Sequence, residues 1–410
     1  MSKAQEIQIM GLFSSEQRPL VTDSLNGVFR LFNGATKNDK TSGTLRSRRL
    51  NFIQFCHRKK LMEIFSVRKK GEEPIPHQKL QYTMAMYAYE LASGDTLQGT
   101  KIRSSTIKDY LLAAATLVMR FDIIGRDARK ELNCKELCEA IQKVVAQVKR
   151  FENVPDRMEA YTARMHNELA HMIGGMHIDC LEVAGFDWFT IGYQNGNRRN
   201  EWCQAKYKND TSKFEKNDNG GARAFVLDDI TFYGKNKMKF TLDYALRNAD
   251  KVMHVRIVYR WQKNNDHGQK KWQSRNTKRP NFCSVAAWIR IVDRYCRLKS
   301  KNITDEPLAI FYNNKTKRSS NIIALEAAQI IKHLAKTTYN ETEKELAKYS
   351  CHSLRVGACC ALYTAGFSEA RIKMLLRWKS DCWMDYVRDM IVTTVLHNKA
   401  LNAVDDMPLM

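Results

Sequence analysis

Cys351-His352-Ser353-Leu354-Arg355-Val356-Gly357 is followed by Leu376-Arg377-Trp378-Lys379-Ser380 and then by Met384-Asp385-Tyr386-Val387-Arg388. His352 and Arg355 stand three apart, so on a helix they share one face. Trp378 follows Arg355 by 23 residues (378 − 355), and Tyr386 follows Trp378 by eight (386 − 378). A histidine, an arginine, a tryptophan and a tyrosine in this order can all touch one phosphodiester. A tyrosine set among cationic donors points to covalent attack on phosphorus rather than to packing.

The rest of the chain suits a polyanionic partner. Its 67 lysines and arginines against 44 acidic residues leave a net charge of +23, which favours nucleic acid over an anionic membrane surface. With 410 residues and 44% apolar composition the chain can form two domains, each with its own core. No stretch approaches the roughly 18 apolar residues of a membrane span, and the N-terminus lacks a signal-peptide pattern. The 11 cysteines are scattered, often beside bulky apolar residues, which predicts free thiols and an intracellular, reducing compartment. Cys134 and Cys138 have i, i+4 spacing but no matching pair, and His166 and His171 have no ligand set. No metal and no small-molecule cofactor is therefore expected.

Residues 1–40 are polar with weak periodicity and read as a flexible arm. From 41 to 153 the pattern is helical: Leu50, Ile53 and Cys56 mark one helix. Leu80, Met84, Tyr87, Ala88 and Leu91 mark a second, and Ile107, Leu111, Ala114, Ala115 and Val118 a third. Leu132, Leu137, Ile141, Val144, Val145 and Val148 suggest a fourth. Val154-Pro155-Asp156 reads as a linker, and a second domain spans 154–410. Within it helices are expected over 158–172 and 188–204. Strand-type sequence follows at 224–233 and 252–261, with Gln269 to Ser274 returning beyond the turn Asn264-Asn265-Asp266-His267-Gly268. The remainder, to about 400, reads as helical. The predicted fold is thus mainly α with a small antiparallel β-sheet.

Phosphodiester cleavage needs an in-line nucleophile, positive donors around the equatorial oxygens and a proton for the departing oxygen. Arginine suits the second task because its planar fork grips two oxygens and stays charged. Arg355 and Arg198 are the candidate forks, and Glu201, one turn beyond Arg198, can hold it by a salt bridge. Lys263, where a strand meets the hairpin turn, is placed to protonate a leaving 5′-oxygen. Each residue alone has a plain structural reading: a core tryptophan, an apolar helix face, a surface ion pair, a solvated lysine. Their joint order on a strongly basic two-domain chain favours chemistry.

These segments resemble the C-terminal signature of the tyrosine recombinases (phage-integrase family), most like those of eukaryotic mobile elements. Gly196-Asn197-Arg198-Arg199-Asn200-Glu201-Trp202 is similar to that family's first arginine box, and residues 97–111 are similar to its helical core-binding domain. The resemblance implies a C-shaped clamp on double-stranded DNA, formed by a helical core-binding domain and an α+β catalytic domain. It implies attack by Tyr386 to leave a 3′-phosphotyrosine. Arg198, His352, Arg355 and Trp378 would hold the phosphate, and Lys263 would be the general acid. It further implies a tetramer on two DNA sites, a C-terminal tail docking on a neighbour and, in a eukaryotic host, a nuclear location. The sequence departs from the pattern at Cys351, where glycine is usual, and in the spacing of eight from Trp378 to Tyr386, where nine is commoner. Lys270 and Lys271 rival Lys263, and Arg199 rivals Arg198. Two other functions fit the same residues: a catalytically silent, domesticated DNA-binding protein and a type IB topoisomerase-like relaxing enzyme.

Overall fold

The computed structural model describes residues 8–26, 39–67, 72–94, 102–122, 124–132, 134–152, 157–217, 219–262, 267–299 and 301–387. The chain divides into two compact units, Met1–Pro155 and Asp156–Met410.

The first unit is helical: α1 (Gln17–Asn26), α2 (Asp39–Arg58), α3 (His77–Ser93), α4 (Ser104–Val118) and α5 (Glu139–Phe151). Burial follows helical periodicity. Leu80, Met84, Tyr87, Ala88 and Leu91 line the inner face of α3, which stops at Gly94 in the left-handed region (φ 83°). In α4 the consecutive alanines Ala113, Ala114 and Ala115 are buried, small enough for neighbouring helices to approach closely. Phe52, Phe55, Phe65 and Tyr87 form an aromatic centre, with the Phe52 and Tyr87 rings 4.9 Å apart.

One expectation is corrected here. The segment read as a flexible arm over 1–40 contributes to this core: Ile9, Phe13, Val21 and Leu25 are buried, and Phe13 packs edge-on against Phe65 at 5.6 Å. The two i, i+4 apolar pairs were diluted by serines and glutamines, so the periodicity was weak although the burial is complete. Residues 1–7 and 27–38 lie outside the described residues. Cys134 and Cys138 do not share a helix, because Cys138 caps the start of α5.

The second unit begins with α6 (Ala163–Met172), capped by the Thr162 hydroxyl, which accepts from the Met165 amide at 3.2 Å. It continues through α7 (Leu181–Asn195), β1 (Ile230–Tyr233), α8 (Leu242–Arg247), β2 (His254–Tyr259), β3 (Gln269–Ser274) and α9 (Ser284–Leu298). Then come β4 (Ile310–Asn313), β5 (Arg318–Asn321), α10 (Ala324–Tyr339), α11 (Glu343–Leu346), α12 (His352–Thr364), α13 (Glu369–Leu376) and α14 (Met384–Val387). The sheet β1-β2-β3 is antiparallel throughout, with Arg256 opposite Trp272 and Ile257 opposite Lys271. Val255, Ile257 and Tyr259 alternate inward from β2. Helix α7 is buried almost along its length, its Trp188 ring 5.7 Å from Trp202 and 5.4 Å from Trp288. Asp187, fully buried in α7, receives Arg290 and Arg294 of α9, both at 2.6 Å, so its charge is paired within the core.

The helix expected over 188–204 ends instead at Gly196 (φ 58°), and a short 3-10 turn, Arg199–Glu201, follows. The strand expected over 224–233 is reduced to β1, preceded by a 3-10 turn at Leu227–Asp229. The hairpin β4–β5 falls in a region read as helical; its strands of four residues are too short to show period-two alternation. His166 is a satisfied core histidine. Its Nδ1 lies 3.0 Å from the Tyr161 hydroxyl, and its Nε2 lies 2.8 Å from the Asn281 carbonyl and 3.1 Å from Thr190 Oγ1.

Helices α12, α13 and α14 enclose a separate small cluster of Ala358, Cys359, Ile372, Leu376, Trp378, Trp383 and Val387. Close backbone contact fixes α12 on the rest of the unit. The Tyr161 amide donates to the Ser353 carbonyl at 2.9 Å, and a Cβ at Gly357 would lie 1.9 Å from the Tyr161 oxygen. Only glycine fits there. Among the described residues no helix is long and apolar enough to cross a membrane, and no group of three His, Cys, Asp or Glu side chains could hold a metal.

Candidate active site

The first turn of α12 carries both His352 and Arg355, as their spacing requires. Helix α13 ends at Arg377, in the left-handed region (φ 57°), and the reversal turns Trp378 back towards α12. The Arg355 guanidinium carbon then lies 4.6 Å from the Trp378 ring centroid. Helix α14 brings Tyr386 to the same place. Its hydroxyl lies 2.8 Å from His352 Nε2, and its ring lies 5.4 Å from Trp378 and 5.7 Å from His352. The ring is half-buried.

Arg198 enters from the segment after α7. The left-handed Gly196 ends that helix, and its carbonyl accepts from Arg355. A Cβ on Gly196 would meet Leu376 Cδ2 at 2.8 Å, so the first arginine segment and α13 pack closely, and any larger residue here would displace the Leu376 side chain. Arg198 Nη1 donates to Glu201 at 3.3 Å, and Glu201 also accepts from the Arg198 amide at 2.9 Å. The structure therefore brings Arg198, His352, Arg355, Trp378 and Tyr386 into one unit. Lys263 lies outside the described residues. Lys270 is exposed, whereas Lys271 points inward from β3 and donates to the Leu375 carbonyl at 2.9 Å.

Sequence reasoning gave Arg377 no role, yet it is the most heavily bonded cation here. Its Nη1 donates to Glu201 and to Gln262, both at 3.1 Å. Its Nη2 donates to Glu201 at 2.8 Å and to Asn197 at 3.3 Å. Its guanidinium carbon sits 3.5 Å from the centroid of Tyr259, whose hydroxyl donates to Asn197 at 2.9 Å. Glu201 is thus gripped from two sides, by Arg377 more closely than by Arg198. Only the adjacency of Arg377 to Trp378 hinted at this; nothing in the sequence says that the side chain turns inward.

The charges explain the proton affinities. Arg198, Arg355 and Arg377 against Glu201 leave a formal +2 (three guanidiniums minus one carboxylate) in a largely buried space. Burial works to raise the Glu201 pKa, but Arg377 and then Arg198 outweigh it and hold the carboxyl below its usual range. Burial and the neighbouring Arg198 press Arg355 down, with Glu201 opposing. His352 is lowered by desolvation and by Arg355, which favours the neutral imidazole. Lys271 is pushed down to about 7, first by burial and then by Arg377, with Glu201 opposing. Neither Arg198 nor Arg355 spends its full fork on protein partners. Arg355 gives one bond to Gly196, Arg198 one to Glu201, and both keep N–H groups for an anion.

No family model matches the chain, and no curated protein matches it. Among solved structures it is similar to the Tn1549 transposon integrase in three DNA complexes. A variant with transposon right-end DNA has 9% identity and a TM-score of 0.44, covering 90% of this chain and 93% of that one. The integrase with circular-intermediate DNA has 13% identity, the same TM-score of 0.44, and 90% and 94% coverage. A second variant with circular-intermediate DNA has 10% identity, a TM-score of 0.44, and 93% and 99% coverage.

Proposed function

We propose that this chain is a tyrosine-type site-specific DNA recombinase, which breaks and rejoins DNA strands through a 3′-phosphotyrosine intermediate. The observation that carries the reading is the 2.8 Å contact between the Tyr386 hydroxyl and His352 Nε2, beside two arginines with unspent donors. A neutral imidazole at that distance can accept the phenol proton as the oxygen attacks phosphorus. Arg198 and Arg355 then take the charge that gathers on the equatorial oxygens.

As the bond from phosphorus to the 5′-oxygen breaks, the leaving oxygen needs a proton. Among the described residues Lys271 is the best supported donor, with a proton affinity near neutrality. Attack by a 5′-hydroxyl on the phosphotyrosine reverses each transfer and joins strands with no external energy source. The net charge of +23 supports double-stranded DNA as the substrate, and the resemblance of the signature segments supports a tetramer on two sites. The test is a nicked suicide duplex whose cleaved end diffuses away. The wild type should accumulate a covalent protein–DNA adduct and Tyr386→Phe none; a wild type that forms no adduct on any duplex of its native flanking sequence would remove the proposal.

A further inference from the structure

Arg377 occupies a backbone position that suits glycine, closing α13 with a positive φ of 57°. It is also buried, 7% exposed, with both terminal nitrogens fully engaged by Glu201, Gln262 and Asn197. A guanidinium so committed has no fork left for a phosphate. Its partner Glu201 does face a residue with donors to spare, since Arg198 leans on the same carboxylate. Two residues before Arg377, the Leu375 carbonyl anchors the Lys271 ammonium.

We propose that Arg377 is a positioning residue of the strand-transfer site: its fork locks Glu201, Glu201 in turn aims Arg198 at the phosphate, and its charge stands fixed behind Lys271. The inference rests on the strand-transfer reading above and adds a residue to it. The lowered proton affinity of Lys271, to which Arg377 contributes after burial, is consistent with the placement.

The full-length protein tests this with Arg377→Gln, Glu201→Gln and the double variant, in which two neutral amides replace a buried ion pair. Three quantities are read: the rate of covalent adduct formation, the affinity for intact duplex, and the titration of Lys271. The titration is followed by NMR of carbon-labelled lysine, with the resonance assigned by its loss in Lys271→Arg. Arg377→Gln should slow adduct formation by about 100-fold, the usual effect of a misplacement near 1 Å, with duplex affinity within about threefold. The double variant should be no slower than either single one, because the same chain is broken at either link. In Arg377→Gln the Lys271 titration should move upward by about one pH unit.

Losses that add in the double variant, a rate loss matched by lost duplex affinity, or an unmoved Lys271 titration would each overturn the proposal. Should Arg377→Gln fail to fold, Arg377→Lys keeps the charge without the fork. It should leave the titration near that of the wild type while adduct formation slows by about tenfold; an undiminished rate overturns the role of the fork. A wild type that forms no adduct removes the strand-transfer reading, whereas the Lys271 titration reports on the Arg377 arrangement by itself.

Discussion

His352 Nε2 and the Tyr386 hydroxyl lie 2.8 Å apart, although 34 residues and two helix reversals separate them in the chain. The contact pairs an imidazole whose proton affinity is lowered by desolvation and by Arg355 with a phenol whose ring lies 5.4 Å from Trp378, the ring that stacks on Arg355. Its value depends on protonation, so pH is the first probe.

The imidazole must be neutral to accept the phenol proton. Its affinity is lowered from the ordinary 6.5 by desolvation and by Arg355, so the rate of adduct formation should hold as pH falls to that value. Below it the rate should decline as His352 protonates. His352→Gln should lose about 100-fold in rate and the acid limb with it. An acid limb that persists in the variant assigns the base elsewhere.

Lys271 must carry a proton to give one away. With its affinity pushed down to about 7, the protonated fraction falls tenfold per unit above that pH. A basic limb near neutrality should appear in single-turnover profiles and vanish in Lys271→Met, with a rate loss of about 100-fold at pH 7. If the limb survives in Lys271→Met, another lysine such as Lys263 is the acid.

His166 governs a stability effect, through a ring bonded to Tyr161, whose backbone holds α12. Its folded affinity is pushed down to about 4 by burial, against 6.5 for the ordinary group. The unfolded chain therefore binds this proton first as pH falls from 6.5 towards 4, and stability should drop through that window by roughly 3 kcal/mol. Denaturant midpoints measured across the window should fall more steeply in the wild type than in His166→Gln. Equal slopes would dismiss the assignment.

Gly357 admits no side chain, because a Cβ would lie 1.9 Å from the Tyr161 carbonyl oxygen. Gly357→Ala should lower stability by about 3 kcal/mol and shift α12, which holds His352 and Arg355, away from Tyr386. Thermal melting reads the first effect and adduct formation the second. An alanine variant with wild-type melting would contradict the close approach.

Much of this arrangement was legible in the residues themselves. His352 and Arg355 share a face because a helix makes three-apart neighbours, and β3 occupies Gln269–Ser274, the return strand expected after the turn signal at 264–268. The N-terminal helices α2, α3 and α4 followed their apolar spacing, whereas Leu132 and Leu137, read into the fourth helix, precede α5 and Leu132 is exposed. What escaped was set by features a linear reading does not carry. Gly196 and Arg377 take left-handed conformations that redirect the chain, and only packing against Leu376 and Glu201 requires them. Glu201 looked like half of a surface pair with Arg198; it is buried because Arg377, 176 residues away, supplies a second counter-charge. The β4–β5 hairpin and the buried Ile9, Phe13, Val21 and Leu25 escaped because their apolar signals are short and interrupted by polar residues.

The left-handed turn at Arg377 sets two selections against each other. For the backbone alone glycine would be easier by about 1 kcal/mol, so a randomised library sorted only for folding should drift towards glycine at this position. Sorted for strand exchange, the same library should return arginine. The codon at 377 thus works as a reporter that separates selection for the fold from selection for the proposed strand exchange.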